Sequence, residues 1–141
     1  MVSQATLLTE LESIAGAENA RPGSDEFTVD GVTPQAIVRP ETVEAAAAVI
    51  RHANGTRLAV IPIGGKQRRG PGNVPARYDI ALDVTALGGI VEYEPDDLTI
   101  TCGAGMTLGE LRGTTAAAGQ MVAFDPEIAD EATVGGALAA D

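Results

Sequence analysis

The chain has 141 residues, 45% of them hydrophobic, which allows one ordinary domain with a core and excludes disorder by composition. A formal net charge of −11 disfavours nucleic acid and anionic membrane surfaces as partners, because like charge repels phosphate. The single cysteine, Cys102, excludes an intrachain disulfide and fits a reducing cytoplasm.

In chain order, Gln4–Ala15 places Leu7, Leu8, Leu11 and Ile14 at helical spacing behind Ser3, a good N-cap. No basic stretch followed by an apolar run opens the chain, so no signal peptide is expected, and no apolar run is long enough to span a membrane. Residues 16–31 are polar and turn-rich. Residues 36–40 read as a short strand stopped by Pro40. Residues 41–53 read as a helix with Val43, Ala46, Ala47 and Ile50 on one face and Asn54-Gly55 as its stop. Residues 58–63 read as a buried strand that runs into GGKQRRGPG over 64–72. Residues 80–84 alternate as a strand, and 89–93 and 98–102 pair antiparallel around Glu94-Pro95-Asp96-Asp97. Thr107 caps a helix with Leu108, Leu111 and Thr115 on one face, ending near Gly119. Residues 122–124 read as a brief strand before Asp125-Pro126, and Thr133 opens an Ala/Gly-rich helix still running at Asp141. The order β-α-β, then mostly β, then α, predicts an α+β domain with mixed β-sheets flanked by helices.

Charge is unevenly spread. Residues 45–78 contain no Asp or Glu but six of the nine basic residues: Arg51, Arg57, Lys66, Arg68, Arg69 and Arg77. Such an island in an acidic chain suits a small anionic ligand better than a long polyanion. At its centre a strand delivers Gly64 and Gly65, which can adopt positive φ and expose successive N–H groups as an anion nest. Lys66, Arg68 and Arg69 add positive charge. Lys66 is followed by Gln67, so the loop is no Walker motif, and no GxGxxG stands between strand and helix. By itself the loop fits a pyrophosphate cradle and a glycine hairpin with a solvated basic tip equally well.

A second series of motifs separates these readings. TCGAGMTLGEL (101–111) is followed by AGQ (118–120), Asp125-Pro126 and ATVGGALA (132–139). The series resembles the pattern V-x-A-G-x-T-L-x-x-L, G, D-P, A-T-[IV]-G-G-x-[IL]-A of the FAD domain in the vanillyl-alcohol oxidase/p-cresol methylhydroxylase (PCMH) superfamily. VRPETVE (38–44) is similar to that family's entry into its first helix. Within the superfamily the chain is most similar to FAD-binding subunits of bacterial glycolate oxidases, through PIGGK (62–66) with Gly70, YDIALD (78–83) and YEPDDL (93–98). The loop is shorter than the P-x-G-x-G-[ST]-K of those relatives and lacks its hydroxyl residue.

The resemblance implies an FAD-binding type-2 (PCMH-type) domain at residues 33–141, preceded by an N-terminal helix and linker at 1–32. It implies that Pro62, Ile63, Gly64, Gly65, Lys66 and Gln67 wrap the FAD pyrophosphate, chiefly through backbone N–H. Asp125 and Pro126 would lie near the flavin. Ala132, Thr133, Gly135 and Gly136 would meet flavin, ribityl or phosphate at a helix start, whose dipole and free N–H groups would join those of the Gly64–Gly65 nest. The activity implied is oxidation of a small 2-hydroxy acid such as glycolate, with D-lactate, a sugar alcohol or a cell-wall precursor as alternatives. Other oxidase subunits are expected as partners, and a purely non-catalytic assembly subunit is the reading from another class.

The remaining chemistry-bearing residues read as structural. His52, the only histidine, is expected as a solvated helix-end side chain near the helix carbonyls, outside the loop, so FAD should be bound non-covalently. Cys102 reads as a buried structural thiol, Asp96-Asp97 as a turn, and Arg112 as helix surface decoration. Asp125, Glu127, Asp130 and Glu131 read as a solvated acidic loop rather than a metal site. No nucleophile, acid–base pair or metal cluster stands out, so no catalytic residue is assigned. The last helix reaches Asp141 without a C-cap, so the sequence is expected to be the N-terminal portion of a longer protein, truncated before the FAD domain is complete and inactive alone.

Overall fold

The computed structural model describes residues 3–67, 73–123 and 129–139. Helix α1 (Gln4–Ala15) begins at Ser3, whose hydroxyl accepts the Thr6 amide at 3.2 Å, and its Leu7 and Leu11 are fully buried. The polar stretch that follows is more than a linker. It makes a 3-10 turn (Ala17–Asn19), strand β1 (Ala20–Pro22) and a second 3-10 turn (Asp25–Phe27) that buries Phe27. Strand β2 (Ala36–Val38) leads to helix α2 (Val43–Thr56), N-capped by the Thr42 hydroxyl on the Ala45 amide.

Helix α2 departs from expectation in two ways. It runs through Asn54-Gly55 and ends at Arg57, which takes the left-handed conformation at φ 57° while Leu58 N–H closes onto the Ala53 carbonyl at 2.8 Å. That closure presses Leu58 against the core, so the stop is set by packing rather than by the glycine. The buried face carries Val49 and Ala53, whereas Val43 is 70% and Ile50 44% exposed.

Strands β3 (Val60–Ile63) and β4 (Ile80–Asp83) complete a four-stranded mixed sheet in the order β1-β2-β4-β3. β1 is antiparallel to β2, and both β2 and β3 run parallel to β4. β3 is therefore a half-buried edge strand rather than a buried one, a position that accepts Pro62 because proline has no amide to donate. β4 is flanked on both sides and covered on both faces. All four of its residues are buried, so the expected alternation is absent.

One face of this sheet packs Ala20, Ala36, Val38, Ile80 and Leu82 against Leu7 and Leu11 of α1 and Val49 and Ala53 of α2. The other face packs Ile37, Ile63 and Ala81 under Phe27 and Tyr78. At the start of the parallel strands sits Asp79, 6% exposed. Its carboxylate accepts the Ala59 amide at 2.7 Å, the Gln35 side-chain amide at 2.6 Å and an Arg77 guanidinium nitrogen at 2.6 Å. One side chain thus registers the beginnings of β2, β4 and β3.

A second layer follows. Strands β5 (Ile90–Glu94) and β6 (Thr99–Cys102) pair antiparallel around the 3-10 turn Pro95–Asp97, as expected. Helix α3 (Leu108–Ala117) buries Leu108, Leu111 and Thr115, and helix α4 (Val134–Ala139) buries Ala137. Met106, Leu108, Leu111, Ala132 and Ala137 form their shared core, with Cys102 half-buried at its edge. Val122 and Ala123 are not in a strand, and Phe124 lies outside the described residues.

Asp79→Ala should destabilise the chain by about 2 kcal/mol, since it removes the acceptor of the half-buried Ala59 amide and Gln35 side chain together. Urea unfolding of the variant against the wild type measures this.

Candidate functional site

The three parallel strands β2, β4 and β3 end at one edge of the sheet, which in open α/β sheets is where ligands bind. There Ile63, buried, is the last residue of β3 and pairs in register with Asp83. The Asp83 carboxylate accepts the Thr85 amide at 3.0 Å and hydroxyl at 2.6 Å, and so turns the chain after β4. Pro62 is exposed on the same strand, and Gly64, Gly65, Lys66 and Gln67 leave it as a bend.

Two distant segments meet at this bend. A β-carbon on Gly64 would lie 2.2 Å from the Thr133 hydroxyl oxygen, and one on Gly65 would lie 2.2 Å from the Glu131 carbonyl oxygen and 3.1 Å from the Ala132 Cα. The turn therefore rests directly on residues 131–133, and both glycines are required by that contact. Thr133 is 1% exposed and Ala132 5%. The structure thus brings Gly64, Gly65, Ala132 and Thr133 together. Gly135 and Gly136 follow in the first turn of α4, and the Gly136 amide donates to the same Thr133 hydroxyl that faces Gly64. Asp125 and Pro126, and the basic Arg68 and Arg69, lie outside the described residues.

The two sets of N–H donors differ in their state. Among the described residues, the amides of Gly64, Gly65, Lys66 and Gln67 donate to no other group. At the start of α4 the expectation of free donors fails. Val134 N–H donates to the Met106 carbonyl at 2.8 Å, Gly135 N–H to the Ala104 carbonyl at 2.9 Å, and Gly136 N–H to the Thr133 hydroxyl at 3.2 Å. These bonds stitch α4 onto residues 104–106. A β-carbon on Gly135 would sit 2.9 Å from the Ala104 Cβ, so this glycine serves close packing inside the domain.

Lys66 holds the left-handed conformation at φ 64°. Its ammonium is ion-paired with Glu26 and lies 4.1 Å from the Phe27 ring centroid. The positive charge read as a phosphate partner is thus already engaged by the second 3-10 turn. Nothing in the sequence signals this, because forty residues separate the pair. Other readings also change. His52 is no solvated helix end: its side chain is 19% exposed and its Nε2 lies 3.2 Å from a carboxylate oxygen of Glu10 on α1. Arg112 is ion-paired with Asp130, tying α3 to the segment that precedes Ala132. Among the described residues, no three His, Cys, Asp or Glu side chains group as metal ligands, and no helix is long and apolar enough to cross a membrane.

The segment 131–133 is held in turn by α3. Thr107 and Thr133 form a β-bridge, with Leu108 N–H on the Ala132 carbonyl at 2.8 Å and Gly109 N–H on the Asp130 carbonyl at 3.0 Å. Thr107 also closes a capping box with Glu110. Its amide and hydroxyl donate to the Glu110 carboxylate at 2.9 and 2.8 Å and hold that carboxyl below its ordinary range.

Against known proteins, a family model described as an FAD binding domain matches residues 34–141. The chain is 31% identical over 106 residues to a D-2-hydroxyglutarate dehydrogenase of Xanthomonas citri pv. viticola, covering 75% of this chain and 22% of that protein. It is 32% identical over 128 residues to a D-lactate dehydrogenase of Archaeoglobus fulgidus, covering 84% and 28%. The chain thus spans less than a third of either relative. Among solved structures, an alkyldihydroxyacetonephosphate synthase superposes with a TM-score of 0.80 at 18% identity, over 98% of this chain and 29% of that one. A p-cresol methylhydroxylase superposes with a TM-score of 0.74 at 18% identity, over 89% and 27%. The fold is the expected PCMH-type one. The two relatives are D-2-hydroxy acid dehydrogenases, not glycolate oxidases.

Gly65→Ala should cost more stability than Gly64→Ala, on the order of 3 kcal/mol against 1, because Gly65 meets backbone and Gly64 meets a side chain that can rotate. Thermal melts of the two variants and of Gly64→Ala with Thr133→Ala rank them; the second substitution should relieve only the Gly64 variant. Thr107→Ala should cost about 1 kcal/mol as a lost N-cap. Because the folded-state Glu110 carboxyl is depressed, its contribution is complete above the ordinary carboxylate range and fades as pH falls through the lower folded value. Glu110→Gln should therefore destabilise at neutral pH and converge on the wild type in acid, as followed by urea unfolding at both pH values.

Proposed function

The chain belongs to the FAD binding domain family, and from that premise we propose that it is the cofactor-holding module of a PCMH-type oxidoreductase acting on a small 2-hydroxy acid. The observation that carries the reading is the bend Gly64–Gln67 at the carboxyl ends of the parallel strands. It offers unpaired amides at a place where two motif segments are already in contact. A pyrophosphate fits this donor set, since neutral N–H groups in succession bind a dianion without requiring a free cation.

When bound, FAD would supply the two-electron acceptor; the protein's part is to hold and orient it. Gly64, Gly65, Lys66 and Gln67 would bind the pyrophosphate through their amides, and Pro62 and Ile63 deliver that turn from β3. Ala132 and Thr133 support it from beneath. With the amides of Val134, Gly135 and Gly136 engaged internally, the start of α4 contributes position rather than donors. His52 lies on α2 facing Glu10 of α1, outside the turn, which favours non-covalent attachment.

The 2-hydroxy acid class is supported by the relatives, which are named for D-2-hydroxyglutarate and D-lactate, and both ligands share the α-hydroxycarboxylate of glycolate. We rank the D-lactate and D-2-hydroxyglutarate types above the glycolate type on that ground. A cytoplasmic setting and association with further oxidase subunits remain part of the proposal.

Mixing the purified chain with FAD and desalting should leave visible flavin absorbance with the protein, and acid precipitation should release all of it to the supernatant. A colourless protein after desalting, both from this chain and from the longest gene product containing it, would overturn the module reading, and flavin in the acid pellet would overturn non-covalent attachment. For substrate class, the longest gene product containing this chain should have its flavin bleached anaerobically by D-lactate or D-2-hydroxyglutarate. Failure of both, and of glycolate, would remove the 2-hydroxy acid assignment.

A further inference from the structure

Lys66 is in the left-handed region that side-chain-bearing residues rarely adopt, so something outside the turn must hold it there. Its side chain reaches away from the bend to the second 3-10 turn. There the ammonium meets the Glu26 carboxylate and stands over the face of Phe27. Phe27 is 0% exposed and packed with Ile37, Ile63, Tyr78 and Ala81, so the platform is fixed to the sheet. Arg21 from β1 approaches the same ring at 5.4 Å and a Glu26 carboxylate oxygen at 4.0 Å, which holds the carboxylate from its other side. The Lys66 side chain is only 24% exposed despite its place on a surface bend.

We propose that Glu26 and Phe27 are positioning residues for the cofactor turn, acting through Lys66. By capturing the ammonium they keep Lys66 left-handed, and that conformation aims the Gly65, Lys66 and Gln67 amides to one side. Released, Lys66 relaxes to an ordinary φ and the two peptide planes beside it rotate. The same ion pair neutralises the lysine, so the turn recognises phosphate by N–H groups and not by the Lys66 charge. This inference rests on the reading of the turn as the FAD pyrophosphate site.

Its sign distinguishes it from the simpler view in which Lys66 is itself a phosphate ligand masked by Glu26. Titrating FAD into the purified chain, Glu26→Gln and Lys66→Met should each weaken binding about fivefold, the scale of one screened ion pair with a cation–π contact. The double variant should be no weaker than either single one, and Lys66→Arg should restore most of the affinity. Unchanged or tighter binding by Glu26→Gln overturns the proposal, as do additive losses in the double variant. If the wild type binds no FAD, the module reading fails first. The backbone conformation of Lys66 in ligand-free protein, read by NMR, then decides the clamp by itself. Glu26→Gln should weaken the strong intraresidue Hα–HN NOE that a left-handed Lys66 gives while leaving the β4 resonances in place, and an unchanged NOE overturns it.

Discussion

Gly64 and Gly65 lie so close to residues 131–133 that a β-carbon on either would come within 2.2 Å of an oxygen atom there. Much of the site geometry depends on that approach. The bend can stay open toward solvent because its underside is occupied by Ala132 and Thr133; the Ala132 carbonyl accepts Leu108 N–H, and the next residue, Val134, donates to the Met106 carbonyl. Residues 103–106 lie on the turn after β4, with Gly103 N–H on the Gly89 carbonyl and Gly105 N–H on the Leu87 carbonyl. Three irregular segments are thus stacked at the sheet edge by main-chain contacts, where side chains would hold them apart.

The two ends of the parallel strands are finished in opposite ways. At their beginnings, the buried Asp79 carboxylate satisfies an amide, a side-chain amide and a guanidinium, so that end is closed by polar bonds within the protein. At their carboxyl ends, Asp83 turns β4 away through Thr85 and leaves the amides after β3 unmatched. Unmatched amides are costly in a folded protein unless solvent or a ligand meets them. At this bend they lie beside the contact with residues 131–133 and at the carboxyl ends of the parallel strands.

Local signals in the sequence were sufficient wherever structure is decided locally. Ser3 before four spaced aliphatic residues specified α1 to the residue, and Thr107 marked the start of α3. The hairpin around Pro95 was equally legible. Elements decided by tertiary context were not. The alanine run in α2 gives no contrast between faces, so the choice of Val49 and Ala53 over Val43 and Ile50 comes from α1 and the sheet. Strand β1 is three residues ending in proline, visible only once β2 is there to pair with it. The motif residues of the site were readable through family resemblance. Their hydrogen-bond state was not: the amides of α4 are taken by carbonyls of residues 104 and 106, and Lys66 by Glu26, partners that no spacing rule connects.

The contact between the Gly64–Gly65 bend and residues 131–133 joins points separated by nearly half of the chain. Closing so long a loop carries an entropic cost that helices such as α1 and hairpins such as β5–β6 do not face, so such pieces can form before the bend meets its support. The site is consequently one of the last features to be completed as the chain folds, and one of the first to open when it loosens. A ligand seated on the bend would then act on the closure equilibrium itself, and binding would be felt as cohesion between the two layers as much as occupancy of a pocket.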